Sequence, residues 1–90
     1  MEKGAKIRTA SGFECEVDRA AIWRDYEAVE LIAKLDKANV LALPPLLEIV
    51  LGNEQTEKLK DHLRVDGRVE TAAMFRELTE ILAGDNELKN

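Results

Sequence analysis

From Lys6 to Val17 the chain reads KIRTASGFECEV, and in the second half of this stretch Phe13, Cys15 and Val17 alternate with Glu14 and Glu16. A two-residue period of this kind predicts a strand with one buried face. Ser11-Gly12 supplies a turn, because glycine accepts positive φ, and Ile7 and Thr9 then fall on the returning strand. The pattern predicts a β-hairpin over residues 6–17. Two strands are marginal by themselves, so the Phe13/Cys15/Val17 face must rest on apolar surface supplied later in the chain.

Beyond Val17 the period lengthens to that of helices. Asp18 suits the N-cap of a helix reaching about Ala38, with Ile22, Tyr26, Val29, Ile32 and Ala33 on one stripe, Ala28 and Leu35 widening it, and Trp23 off it. Asn39 is suited to close that helix in a left-handed conformation. Val40-Leu41-Ala42-Leu43 then reads as an apolar connection, held out of helix at Leu43 by the proline pair. Pro44 and Pro45 open a leucine-rich helix that stops at Gly52. Asn53 caps the next helix, which runs to about Arg64 with Leu59 and Leu63 inward. Asp66-Gly67 predicts a tight turn, and Val69 precedes a last helix from about Glu70 or Thr71 to Ala83 with Met74, Phe75, Leu78, Ile81 and Leu82 inward; Gly84 stops it, and residues 85–90 form a polar tail.

The expected fold class is α+β, an N-terminal β-hairpin followed by about four short helices packed as a small, mainly helical domain. At 90 residues, with no Ser/Gly/Pro-rich linker and no internal repeat, the chain is expected to form a single domain over residues 1–90, comprising the hairpin (6–17), a helical part (18–84) and the tail (85–90).

Composition narrows the function. Hydrophobic residues are 46% of the chain but aromatics only 4%, so the core must be aliphatic. A formal net charge of -5 repels a phosphate backbone, which disfavours nucleic acid as a partner. Cys15 is the single cysteine, so no internal disulfide forms and a reducing, cytoplasmic setting is the simplest expectation. Met1-Glu2-Lys3-Gly4 lacks the apolar core of a signal peptide, and no apolar run approaches the ~18 residues of a membrane span, so no membrane association is expected.

Candidate chemistry is sparse. His62 is the sole histidine and lies among charged neighbours on a solvated helix, short of the several ligands a metal needs. Cys15 sits between two glutamates, which oppose thiolate formation and favour a structural role. The pairs Glu14/Glu16 and Glu77/Glu80 read as solvated faces, and no glycine-rich phosphate loop is present. No catalytic residue, cofactor or metal site is expected.

Two features point instead to protein binding. Around the helix from Pro44 to Leu51, Glu48 is the only charge, and Leu46, Leu47, Ile49, Val50 and Leu51 point in nearly every direction. Either this helix is the central core element, or part of it is a surface for a partner or a second subunit. Trp23, the only tryptophan, either packs under the hairpin or the Lys3 and Lys6 stems, or anchors an interface. Trp23, Leu46, Ile49 and Val50 are therefore the candidate protein-binding residues.

In their order and spacing, SGFECEVD, DYEAVELIAKLD, LALPPLLEIVLGNEQTEKLKDHLR and DGRV with a closing amphipathic helix resemble the small tail assembly chaperones of long-tailed bacteriophages and prophages, over about residues 6–83. The resemblance implies a cytoplasmic, self-associating assembly factor that binds the tape measure protein and delivers it to tail tube subunits. It carries over no active-site residue. The alternatives are a small structural phage protein, such as a head-tail connector or minor tail component, and a helical regulatory nucleic-acid-binding module. The last is disfavoured because a recognition helix should be basic, and on the candidate after DGRV Arg76 is outnumbered by Glu70, Glu77 and Glu80.

Overall fold

The computed structural model describes residues 4–83 and shows an α+β fold, with a two-stranded antiparallel hairpin followed by four helices. Strand β1 (Ala5–Arg8) pairs with β2 (Glu14–Val17) in the register Ile7↔Cys15 and Arg8↔Glu14. The turn is closed by the Thr9 N–H donating to the Phe13 carbonyl and the Gly12 N–H donating to the Thr9 carbonyl, each at 2.9 Å, with Gly12 at φ 94°. Ile7, Thr9, Phe13, Cys15 and Val17 are all buried, so the alternation does place one face inward. The opposite face is polar, with Arg8 Nε donating to Glu14 Oε2 at 2.8 Å.

The single helix expected from Asp18 is two helices, α1 (Arg19–Arg24) and α2 (Tyr26–Asp36), meeting at Asp25. Asp18 caps α1 as expected, its carboxylate accepting from the Ala21 N–H at 3.1 Å. Asp25 adopts an extended conformation and caps α2 in the same way, accepting from the N–H groups of Glu27 and Ala28. This second cap breaks the helix and resets its phase. Tyr26 and Ala33 consequently face solvent, while Ala28 and Leu35, two turns apart, are the buried positions.

At the end of α2 the left-handed residue is Ala38, at φ 68°, not Asn39. The Asn39 N–H reaches back to the Lys34 carbonyl at 3.0 Å and closes a Schellman-type end. The Asn39 side chain has a different use: its Oδ1 accepts from the Leu41 N–H at 3.2 Å and caps a 3-10 turn over Val40–Ala42. That turn feeds directly into α3 (Leu43–Leu63), so Leu43 is helical rather than held out by the prolines. Its burial outweighs the usual bias of a residue before proline. Pro44 and Pro45 lie in the first turn, where their missing N–H groups cost nothing.

Helix α3 is two arms, residues 43–51 and 53–63, meeting at Gly52. Gly52 has φ 79° and ψ 168°, a conformation that a Cβ would strain even though the space around it is open. Gly52 itself occupies the cap position expected of Asn53, which lies within the helical run; the Thr56 hydroxyl donates to the Gly52 carbonyl at 2.7 Å. After α3, Asp66 and Gly67 both take positive φ in a turn closed by the Val65–Arg68 bridge, and α4 (Thr71–Ala83) follows.

Helix α3 packs against β2, α1, α2, the 3-10 turn and α4, which makes it the centre of the molecule. Leu43, Leu46, Leu47, Val50 and Leu51 of its first arm, together with Leu59 of the second, are buried. On α4 the inner face is Met74, Glu77, Leu78 and Ile81; Phe75, expected inside, lies one step around the helix and is exposed. The expected stop at Gly84, the tail 85–90 and the Lys3 stem lie outside the described residues.

The outer edge of β2 is fastened to α3 by Gln55. Gln55 Oε1 accepts from the Glu16 N–H at 2.7 Å, while its Nε2 donates to the carbonyls of Glu16 and Leu51, each at 2.9 Å. An amide side chain thus occupies the outer edge of β2 as a neighbouring strand would. Gln55→Ala is expected to lower stability by about 1–3 kcal/mol, since the edge groups of Glu16 then turn to water. Hydrogen exchange at Glu16 is expected to speed up more than exchange in α4, and equal acceleration throughout the chain would refute a local clamp.

Candidate functional site

The first arm of α3 buries positions 43, 46, 47, 50 and 51, an i, i+3, i+4, i+7, i+8 stripe, and leaves Pro44, Pro45 and Glu48 exposed. The helix is therefore the central core element on one side and surface on the other. The surface side is not the one expected: Leu46 is 0% exposed and cannot touch a partner without unfolding, and Val50 is buried, with only an edge on the cleft that Ile49 borders. Ile49 is half-buried and borders a small cleft with Val17, Ala21 and Ile22. Trp23 is 50% exposed on α1 and is not among the residues lining that cleft. The four candidates thus do not form one surface.

The accessible aliphatic surface lies elsewhere. Leu41 is 81% exposed in the 3-10 turn, beside exposed Val40, Pro44 and Pro45. These residues form one lip of an open groove of about 740 Å³, with Leu43 and Leu47 also in its lining and Val69 and Met74 contributed by the loop before α4 and by α4 itself. The bend at Gly52 makes this possible, since residues on both arms of α3, Pro44 and Glu48 on one and Thr56 and Lys60 on the other, line the same groove. Its polar rim includes Glu57, paired to Lys60 at 2.8 Å, and Glu48.

The titratable residues have structural positions. His62 Nε2 is 3.1 Å from the Ser11 carbonyl, to which it donates in the Nε2–H tautomer, and 3.2 Å from the Ser11 hydroxyl; its ring lies 5.6 Å from that of Phe13. Glu80 Oε1 accepts from the Ala10 N–H at 2.7 Å, so α3 and α4 hold the hairpin turn from two sides. Glu77, expected on a solvated face, is 2% exposed, and its Oε1 has no hydrogen-bond partner among the described residues. Burial, and secondarily the charge of Glu77, push the Cys15 thiol from its ordinary 9.0 to about 11. The thiol therefore stays protonated at neutral pH and is a poor nucleophile.

Among the described residues no group of three His, Cys, Asp or Glu side chains is placed to hold a metal ion, and no helix is long and apolar enough to cross a membrane. No protein-family model, curated protein or solved structure matches the chain.

Proposed function

We propose that the chain is a protein-binding assembly factor that shields an apolar segment of a client in the Leu41/Pro44/Met74 groove, and that it serves as a phage or prophage tail assembly chaperone for the tape measure protein. The observation that carries the reading is the groove itself. It joins an aliphatic lip to a charged rim, the combination a holding factor needs to bind apolar segments and stay dispersed. The order of SGFECEVD, the LPPLLEIVLG segment, the DHLR end and the DGRV turn supports the assignment to tail assembly. On this reading the chain acts in the bacterial cytoplasm, self-associates along its client and hands it to tail tube subunits.

Coexpression of the tagged chain with the tape measure protein is expected to give a copurifying complex. Leu41→Asp is expected to deplete the client from it, and finished particles are expected to lack the chain by mass spectrometry. Absence of a complex with the wild-type chain would refute the chaperone assignment, and retention in finished particles would favour a structural virion component.

A further inference from the structure

Every wall of the groove is helix, turn or loop, and strands β1 and β2 contribute nothing to its lining. The N–H and C=O groups of helices are already paired within them, so an extended peptide would find few backbone partners here. A helical occupant brings its own backbone bonds and asks only for apolar contact. A small molecule is a poorer fit, because sites for such ligands bury most of the ligand surface, whereas the lip at Leu41 stands 81% exposed.

Charge on the rim is unevenly distributed. Glu57 is compensated by Lys60 at 2.8 Å, and Asn53, Thr56 and Thr71 are neutral. Glu48 is exposed and has no ion-pair partner among the described residues. It projects from the same arm of α3 that carries Pro44 and Pro45, beside the aliphatic lip. A second copy seated by two-fold symmetry would bring its own Glu48 to the same interface, and the like charges would oppose the contact.

We propose that the groove receives an amphipathic helix of another protein whose apolar stripe is flanked by a lysine or arginine, and that Glu48 pairs with this cation and selects for it. The inference rests on the groove being the binding site and adds the chemistry of its occupant.

The test uses the full chain and two fluorescein-labelled synthetic peptides of about 18 residues, five helical turns, sharing a leucine stripe and flanked by lysine in one and glutamate in the other. Anisotropy titrations at low salt are expected to show the lysine-flanked helix binding about fivefold tighter, the scale of an exposed ion pair gained against a like-charge contact. Glu48→Gln is expected to bring the ratio close to one. Glu30→Gln, which removes one negative charge from the exposed side of α2, is expected to leave the ratio unchanged, and this separates Glu48 from the net charge of the chain. Leu41→Asp is expected to weaken both peptides.

A preference unaltered by Glu48→Gln, or altered equally by Glu30→Gln, would overturn the role of Glu48 while leaving the groove as the site. Binding of neither peptide, or binding indifferent to Leu41→Asp, would overturn the groove itself. A dimer seen by sedimentation and broken by Leu41→Asp would assign the groove to a second copy and overturn the heterologous helix.

Discussion

Leu46→Asp is expected to unfold the protein, whereas Leu41→Asp, only five residues earlier, is expected to leave it folded. Leu46 is wholly buried on the helix that every other layer packs against. Truncating such a leucine costs about 2–5 kcal/mol through lost transfer energy and the cavity left behind. An aspartate adds an unpaired charge in that cavity, which costs several kcal/mol more. A 90-residue domain has a total stability of about 5–13 kcal/mol, so the two costs together consume most or all of it. Leu41, being 81% exposed, has little burial to lose, and a change there stays within about 0.5 kcal/mol. Circular dichroism and urea titration check both: Leu46→Asp should lose helical signal without denaturant, and Leu41→Asp should melt as the parent does. A native, cooperative transition for Leu46→Asp would mean that α3 is not the core element described. The pair also identifies the variant suited to binding studies, because loss of binding by an unfolded chain says nothing about a surface.

The architecture was legible wherever a local signal had no competitor. The alternation of Phe13, Cys15 and Val17 against two glutamates admits only a strand, and Asp66-Gly67 admits only a tight turn. Reading failed where one residue had two possible uses. Asp25 is tolerable inside a helix and excellent at its cap; the structure uses it as a cap, and that choice alone rotates Tyr26 out of the core. Asn39 suited a left-handed helix end, but its side-chain oxygen is spent capping the 3-10 turn, and the strained position passes to Ala38. The buried stripe of α3 was present in the sequence at positions 43, 46, 47, 50 and 51. It was obscured by Ile49, which makes the arm seem apolar all round.

The groove could not be read locally at all. Its lip comes from residues 40–45, its second wall from 53–60 and its far side from 69–74, and only the angle at Gly52 together with the packing of α4 sets them side by side. A periodicity reports which face of a helix is buried, but not what surrounds the face left over. The one local hint was the run Val40-Leu41 before two prolines, aliphatic residues in a connection where polar ones are the norm.

Glu77 supplies the second large effect, and it runs toward greater stability. A carboxyl group that is 2% exposed, with its Oε1 lacking a hydrogen-bond partner among the described residues, gives up hydration at that oxygen without a hydrogen bond in return. Glu77→Met keeps an unbranched chain among Met74, Leu78 and Ile81 and removes the polar group. The domain is expected to gain about 1–3 kcal/mol, read as a rise of about 4–8 °C in Tm per kcal/mol. The thiol of Cys15 gives an independent readout, because Glu77 is the smaller of the two causes holding it near 11 and burial is the larger. In Glu77→Met the Cys15 pKa should fall toward 9.0 without reaching it. The sign on stability follows from proton binding: between 9.0 and about 11 the unfolded thiol is ionised while the folded one holds its proton, so stability falls as pH rises through that window. Cys15→Ala should abolish this alkaline decline and Glu77→Met should narrow it. Unchanged or lowered stability for Glu77→Met, with the alkaline decline intact, would show that the carboxylate is compensated in solution and that the neighbourhood of Cys15 owes nothing to its charge.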